Sequence, residues 1–245
     1  MDAGARGVNV LEIGEAPVGE VGGKAAGLSA LLRLGLPVPP ALVVPATARG
    51  VLADPGSVVA RLGEPLAVRS SGLHEDEQGR SAAGQYESLM GVTRGDLVSA
   101  VQQVYRSASS DRVLAYGSGA PDAAMAVIVQ RQVPATRAGV AFSREPMTGS
   151  DLVVVEAVFG HGEQLVSGQV NPDRFLVDPD GSVTARLAVH EGPFRALRTL
   201  RDDEVRSVAE LTRRAAAGFG CPVDVEFCFE GRQLWLVQCR PITTL

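Results

Sequence analysis

The stretch P-V-D-V-E-F-C-F-E-G-R-Q-L-W-L-V-Q-C-R-P-I-T, residues 222–243, alternates polar and apolar residues on both sides of a glycine. This pattern predicts two antiparallel strands joined by a three-residue loop at 230–232, in which Gly231 takes the left-handed conformation. Trp235 then lies on the apolar face. The opposite face carries Asp224, Glu226, Leu236, Gln238 and Arg240, and Asp224 lies opposite Gln238. A two-residue loop would mix the two sets, so the sorting favours three residues.

The polar face of this hairpin combines two carboxylates, an amide and a guanidinium. Mg²⁺ takes hard oxygen ligands, and a guanidinium suits phosphate oxygens. The face therefore indicates a site for Mg²⁺ with phosphates. Antiparallel sheets also commonly have one solvated polar face, so the hairpin alone leaves both interpretations open.

The segment V-G-G-K-A-A-G, residues 21–27, contains the only lysine among 23 basic residues. It is not a P-loop, because Val18 stands where that motif needs glycine and Ala25 stands where it needs serine or threonine. A glycine-flanked lysine at the start of a helix is nevertheless a plausible anion site. Lys24 is therefore a candidate phosphate ligand.

Two further segments have features of phosphate sites. In A-V-R-S-S, Arg69 leaves a predicted strand with two hydroxyls behind it. In R-S-A-A-G-Q-Y, a loop of small residues offers backbone N–H groups, at Ser81, Ala82, Ala83 and Gly84. Each segment alone also fits an ordinary helix start, strand end or surface loop. Together with Lys24 they indicate a nucleoside-triphosphate cleft without a Walker motif.

Composition restricts the class of protein. The 245 residues carry a net charge of −5 and only 4% aromatic residues, which argues against a nucleic-acid partner. No apolar run approaches the ~18 residues of a membrane span, and the N-terminus does not resemble a signal peptide. Three cysteines without C-x-x-C spacing fit reduced thiols. We therefore expect a cytoplasmic protein with no membrane partner.

Helices and strands follow one another without strict alternation, which favours an α+β fold with antiparallel sheets over a doubly wound parallel sheet. The hydrophobic periodicity predicts helices at 24–34, after Thr93, and at 202–218. Strands are predicted at 41–44, 66–68, 125–133, 139–142, 152–158, 174–177 and 182–189, before the hairpin already described.

The chain resembles the N-terminal ATP-binding domain of pyruvate phosphate dikinase, phosphoenolpyruvate synthase and rifampicin phosphotransferase, which has an ATP-grasp fold. Matching stretches occur in family order over nearly the whole chain: V-G-G-K-A-A-G-L, L-P-V-P-P-A-L-V-V, A-V-R-S-S-G-L-H-E-D, S-A-A-G-Q-Y-E-S, V-I-V-Q-R-Q-V, A-G-V-A-F-S-R-E-P, V-V-E-A-V-F-G-H-G-E-Q-L-V-S-G-Q-V-N-P-D-R-F and the hairpin. The resemblance implies two lobes, residues 1–125 and 126–245, with antiparallel or mixed sheets that enclose a nucleotide cleft.

The resemblance also implies a role for each candidate residue, with ATP and Mg²⁺ as cofactors. Lys24 and Arg69 would hold the phosphates, and the loop from Ser81 to Gln85 would close over them. Arg240 would contact the transferred phosphates, so Lys24, Arg69 and Arg240 are the candidate catalytic residues. The remaining contacts would be made by Gln130, Gln132 and Val133 at the hinge beside adenine, Glu156 at the ribose or elsewhere on the nucleotide, and Glu226 and Gln238 at Mg²⁺ with Asp224 in support.

The sequence departs from the family pattern at three places. Only residues 45–65 stand where the family usually has a longer helical insert, so the outer lobe is expected to be shortened. His161 replaces a residue that is usually leucine, in either a structural or a functional role. The sequence ends soon after R-P-I-T, where relatives continue into a swivelling domain with an acceptor histidine.

These features predict the ATP-binding component of a dikinase-type phosphotransferase. It would donate the β-phosphate of ATP to a histidine on a separate swivelling-domain protein, yielding AMP and phosphate, with a possible second partner that binds the final substrate. One alternative is a self-sufficient small ATP-grasp kinase or ligase. The other is a nucleotide-binding module without catalysis.

Overall fold

The computed structural model describes residues 10–15, 17–73, 88–116, 125–162, 165, 168, 170–186 and 197–242. The chain forms two compact units. The first contains residues 1–29 and 39–132, and the second contains residues 30–38 and 133–245. The later division falls at 132/133 rather than at 125/126, because residues 125–131 form a strand paired inside the sheet of the first unit.

The first unit is built on a five-stranded antiparallel sheet in the order β1-β2-β5-β3-β4. Its strands are β1 (Leu11–Glu12), β2 (Ala41–Val44), β3 (Leu66–Gly72), β4 (Ser88–Val92) and β5 (Met125–Arg131). Its helices are α1 (Val18–Arg33), whose last residues belong to the second unit, α2 (Pro55–Leu62) and α3 (Leu97–Tyr116).

A large hydrophobic core cluster of the first unit lies on one face of this sheet. Alternate strand residues pack there against α2 and α3, because successive side chains of a strand point to opposite faces. The core includes Leu42, Val44, Val58, Leu62, Leu66, Val68, Leu97, Val101, Val104, Val127 and Val129, all at most 6% exposed. The opposite face carries Val43, Ala126 and Ile128, which are also buried, and it carries Arg69 and Ser71 of β3 as well.

The second unit is built on a six-stranded antiparallel sheet in the order β11-β10-β6-β7-β8-β9. Its strands are β6 (Arg137–Phe142), β7 (Val153–Phe159), β8 (Asp173–Val177), β9 (Val183–Arg186), β10 (Val223–Glu230) and β11 (Gln233–Pro241). The two antiparallel sheets with a few helices confirm the predicted α+β class.

A single long helix, α4 (Asp202–Phe219), packs across one face of the second sheet. It buries a stripe of residues at helical spacing: Val205, Val208, Ala209, Thr212 and Ala215. Three acidic residues in its first turn suit the positive end of the helix dipole, and Gly220 ends it in a left-handed conformation, φ 70°. The other face of the sheet carries Glu156 and Glu226.

The hairpin of β10 and β11 corrects the predicted register. Its turn has two residues, not three, so Glu230 pairs with Gln233 and Trp235 pairs with Cys228. Trp235 therefore shares a face with Cys228, whereas the prediction had put it on the apolar face.

Further along the hairpin, the register shifts at Val237, since Phe227 pairs with Leu236 and Glu226 pairs with Gln238. This β-bulge adds one residue to β11 and restores the predicted polar set. Asp224 lies opposite Arg240 rather than Gln238, and Leu236 lies on the apolar face.

Most other elements agree with their predicted positions and differ at the ends. β3 continues to Gly72 because Arg69 to Gly72 pair with Ile128 to Met125 of β5. Within the described ranges, no helix has the length and apolar character to cross a membrane.

Candidate functional site

In the first unit, α1 lies directly on the end of β3. Gly22 breaks the helical conformation with φ 75° and ψ 171°. A Cβ atom there would lie 2.4 Å from the carbonyl oxygen of Ser71 and 2.6 Å from that of Gly72. Only glycine combines this backbone conformation with so close an approach. The segment V-G-G-K is therefore shaped by its contact with a strand.

Ser71 binds the same turn of α1 through its side chain. Its Oγ accepts a hydrogen bond from the backbone N–H of Ala25, at 3.1 Å, in a buried position. An orphan N–H of the helix start is thus satisfied from another element. One of the two hydroxyls that follow Arg69 therefore holds the helix that carries Lys24, a role the sequence did not indicate.

Arg69 lies on the α1 side of the first sheet. It is two residues from Ser71 on β3, so both side chains point to the same face, opposite the core face of Leu66 and Val68. Arg69 is half-buried, as is Lys24. The structure thus brings the turn that carries Lys24 to the sheet face that carries Arg69.

Two of the three predicted hinge residues, Gln130 and Gln132, have side chains that hydrogen-bond to backbone groups, and the third, Val133, is buried. Gln130 is 3% exposed, and its side-chain nitrogen donates to the carbonyl of Pro39 at 3.3 Å. The side-chain oxygen of Gln132 accepts a hydrogen bond from the backbone N–H of Gly91. Val133 is buried at the start of the second unit's long segment. The predicted phosphate loop, Ser81 to Gly84, lies outside the described residues.

In the second unit, the sheet face opposite α4 carries a row of six cross-strand neighbours, five of them polar. Cross-strand pairing places them side by side in the order Gln238, Glu226, Val140, Glu156, Arg174 and Arg186. Directly paired residues share a face, as do residues two apart along a regular strand, so five sequence candidates lie on it: Asp224, Glu226, Gln238, Arg240 and Glu156.

Asp224 and Arg240 form the neighbouring pair on this face. The Nε of Arg240 donates to both carboxylate oxygens of Asp224, at 3.0 and 2.7 Å. Asp224 is 8% exposed as a residue, whereas the Arg240 side chain is 47% exposed. The buried carboxylate of Asp224 thus orients the more exposed guanidinium of Arg240.

Glu226 and Gln238 lie directly opposite one another at the bulge. Glu226 is half-buried and Gln238 is 7% exposed. One carboxylate and one amide oxygen are donors that Mg²⁺ accepts, and this ion usually completes its coordination with phosphate oxygens and water. The pair therefore fits the implied Mg²⁺, although the described residues include no group of three His, Cys, Asp or Glu side chains that could hold a metal by themselves.

Glu145 and Arg174 were not found by sequence reasoning. Arg174 Nη2 lies 2.9 Å from Glu145 Oε1, and Nη1 lies 3.7 Å from Glu156 Oε1. Hydrogen bonds from the backbone and hydroxyl of Thr148 hold the pKa of Glu145 below its ordinary value, with help from Met147 and Arg174. The available signal was the register of β7 and β8, which pairs Glu156 with Arg174.

The cysteines and His161 are given no role in this polar row. All three cysteines are free thiols. Burial raises the pKa of Cys239 to about 12, with smaller effects of Asp224 and Cys221, so this thiol stays protonated and inert at neutral pH. His161 is exposed just beyond β7.

The two antiparallel sheets have the ATP-grasp fold. Solved structures that share the fold include the following two. One is PH1788 from Pyrococcus horikoshii Ot3, with a TM-score of 0.52 and 14% identity over 89% of this chain and 91% of that one. The other is a D-alanine–D-alanine ligase from Bacillus anthracis complexed with ATP, with a TM-score of 0.51 and 9% identity over 90% and 53%. These likenesses concern the fold alone.

Residues 51–245 match the family of the pyruvate phosphate dikinase AMP/ATP-binding domain, and the chain belongs to that family. This membership supports a dikinase-type ATP-binding role.

Individual relatives agree with this assignment. The prodigiosin synthesizing transferase PigC of Serratia marcescens is 33% identical over 91% of this chain and 32% of its own length. A rifampicin phosphotransferase of a Streptomyces species is 36% identical over 76% and 24%. A probable phosphoenolpyruvate synthase of Archaeoglobus fulgidus is 32% identical over 74% and 27%. The chain thus spans about a quarter to a third of these relatives.

Proposed function

We propose that this chain binds Mg·ATP and donates the β-phosphate to a histidine on a separate protein or domain. The histidine nitrogen forms a bond to the β-phosphorus, and the bond between that phosphorus and the AMP oxygen breaks. Water then removes the γ-phosphate as inorganic phosphate, so ATP, water and the histidine yield AMP, phosphate and phosphohistidine. The final substrate would bind to a further domain.

The observation that carries the proposal is the polar face of the second sheet. Glu226 and Gln238 form one cross-strand pair, and the Asp224–Arg240 ion pair is its neighbour. A donor set for Mg²⁺ therefore lies beside an oriented guanidinium, which is the combination that phosphoryl transfer requires. The family match and the names of the relatives support the same function.

Each candidate residue would have a role that follows from the chemistry of its side chain. Glu226 and Gln238 would hold Mg²⁺, which neutralises phosphate charge when bound. Arg240, kept in place by Asp224, would bind oxygens of the transferred phosphate. In the first unit, Lys24 would meet phosphate as a compact charge on a flexible stem, and Arg69 as a planar fork. Catalysis would consist of positioning and charge neutralisation.

Phosphorus NMR of the protein with Mg·ATP tests the proposal, first alone and then with a separately expressed protein that carries an acceptor histidine. We expect AMP and phosphate only when both proteins are present. ADP or AMP formed by this chain alone would indicate a self-sufficient enzyme. Binding of ATP without turnover in either mixture would favour the non-catalytic module.

Two variants identify the residues responsible. Arg240→Gln is expected to lower the rate of AMP formation at least about 100-fold, since it removes a cation from the transferring group. Arg232→Gln is the matched control, because this arginine is exposed in the turn of the same hairpin. Equal rates for the two variants would remove Arg240 from the mechanism.

A further inference from the structure

Glu156 differs from its acidic neighbours in what binds its carboxylate. It is an ion-pair partner of Arg174 at 3.7 Å, and its side chain is 27% exposed. That distance is beyond hydrogen-bond range, and among the described residues no donor hydrogen-bonds to this carboxylate. Its oxygens can therefore accept hydrogen bonds from a ligand while its charge stays balanced.

Glu145 is the opposite case, because both of its oxygens are occupied. Oε2 accepts from the backbone N–H groups of Met147 and Thr148, at 2.9 and 2.7 Å, and from the Thr148 hydroxyl at 2.9 Å. Oε1 receives Arg174 Nη2 at 2.9 Å. The loop closes on itself as well, since Glu145 exchanges backbone hydrogen bonds with Gly149 and Ser150. Glu145 is thus a fixed anion.

Arg174 links this fixed anion to Glu156. One of its terminal nitrogens binds Glu145, and the other faces Glu156 across the β7–β8 pair. A planar guanidinium held at one nitrogen has the direction of its other nitrogen set as well. The position of the Glu156 carboxylate therefore depends on Arg174, which depends on the turn at 145–150.

We propose that Arg174, anchored by Glu145, is a positioning residue that holds Glu156 as the acceptor for a ribose hydroxyl of the bound nucleotide. This inference rests on the proposed function, since it requires that a nucleotide binds. Glu156 lies in the same row as Glu226 and Gln238, with only Val140 between Glu226 and Glu156. Adjacent strands are about 4.8 Å apart, so Glu156 is roughly 10 Å from Glu226 and roughly 14 Å from Gln238. The sugar of a nucleotide lies at about such a distance from its outer phosphates.

The test compares binding of Mg·ATP, Mg·2′-deoxyATP and Mg·3′-deoxyATP to the full chain by calorimetry. The wild-type protein is expected to prefer ATP over at least one deoxy analogue. Arg174→Gln is expected to weaken ATP binding about tenfold and to abolish that preference, since a hydrogen bond to a charged group is lost. Glu156→Gln should do the same, and Arg174→Lys should restore part of the preference.

Arg186→Gln is the matched control, because this exposed arginine pairs with Arg174 on the next strand of the same row. It should bind all three nucleotides as the wild type does. If Arg174→Gln is unstable, Glu145→Gln removes the anchor and should weaken the preference in the same way.

Three results would overturn the inference. One is an Arg174→Gln variant that keeps the wild-type preference, and another is a wild-type protein that binds ATP without any preference. The third is an Arg174→Gln variant that binds all three nucleotides more weakly by the same factor, as it would if Arg174 only stabilised the fold. Failure of the wild type to bind ATP at all is a different outcome, since it would refute the proposed function itself.

Discussion

Lys24 owes its position to two small neighbours, Gly22 and Ser71. The glycine allows α1 to touch the backbone of β3, and the serine hydroxyl binds the N–H of Ala25. Neither residue has the chemistry to bind a nucleotide strongly. Their function is to fix the turn on which the only lysine of the chain stands.

Gly22→Ala is expected to lower the free energy of unfolding by at least about 2 kcal/mol, because the new methyl group meets a carbonyl oxygen and the backbone has φ 75°. Urea unfolding measures the change. Gly19→Ala is the control in the same helix, since a Cβ there has no atom within 4 Å and alanine favours a helix. Similar losses in both variants would mean that the contact with Ser71 is unimportant.

The Asp224–Arg240 pair makes a second prediction at this scale. Asp224→Asn should slow phosphoryl transfer about tenfold or more, because Arg240 loses the anion that orients it. A double-mutant cycle with Arg240→Gln checks the coupling. If Asp224 acts through Arg240, the double variant should be no slower than Arg240→Gln alone, whereas additive losses would give Asp224 a separate role.

Among the elements, α4 depends on one buried ion pair. Arg137 of β6 lies 2.6 Å from Glu204 in the first turn of the helix, and it also donates to the carbonyls of Thr199 and Gly231. Its guanidinium stacks over Phe229, 4.7 Å from the ring centroid. One side chain therefore joins the helix start, the preceding loop and the hairpin turn.

This pair predicts a pH dependence of stability. Burial acts to raise the pKa of Glu204, but hydrogen bonds from Arg137 and the Arg201 backbone outweigh it and lower the pKa from its usual 4.5. A carboxyl whose folded pKa is lowered stabilises the protein above its unfolded pKa, and this contribution is lost as the pH falls. Unfolding free energy should therefore decline below about pH 4.5.

Glu204→Gln should cost about 3 kcal/mol at pH 7, and this deficit should shrink as the pH falls below 4.5. Urea titrations at several pH values measure both effects. Glu210→Gln, an exposed position on the same helix, should follow the wild type throughout. A constant deficit at all pH values would show that the charge of Glu204 is not what matters.

How much of the structure a sequence pattern predicts also depends on the element. The alternation in residues 223–241 correctly sorted Asp224, Glu226, Gln238 and Arg240 onto one face, because the period of two within each strand is local and the bulge offsets the error in loop length. The loop length and the side of Trp235 were wrong, since a bulge changes the register without a clear sequence signal. Ser71, Glu145 and Arg174 act through contacts 29 or more residues away, which no local pattern reveals.

For the whole molecule, ligand binding should be visible as stability. Anything that binds only the folded state stabilises it, by about 2.7 kcal/mol at a ligand concentration 100 times Kd. ATP with Mg²⁺ is expected to raise the melting temperature, and EDTA should remove most of that shift. The Glu226→Gln variant should show only a small rise in melting temperature with Mg·ATP, whether or not EDTA is added. A rise as large as that of the wild type would exclude Glu226 as a metal ligand.

The bulge at Val237 has a consequence for insertions and deletions. Because Val237 is the extra residue of the bulge, a shorter chain without it would still set Gln238 against Glu226 and Arg240 against Asp224. Loss of Val225, by contrast, would turn Asp224 and Glu226 to opposite faces of the sheet. Family members that differ in length by one residue at 237 can therefore share the same chemistry, whereas a gap at 225 would mark a chain that has lost it.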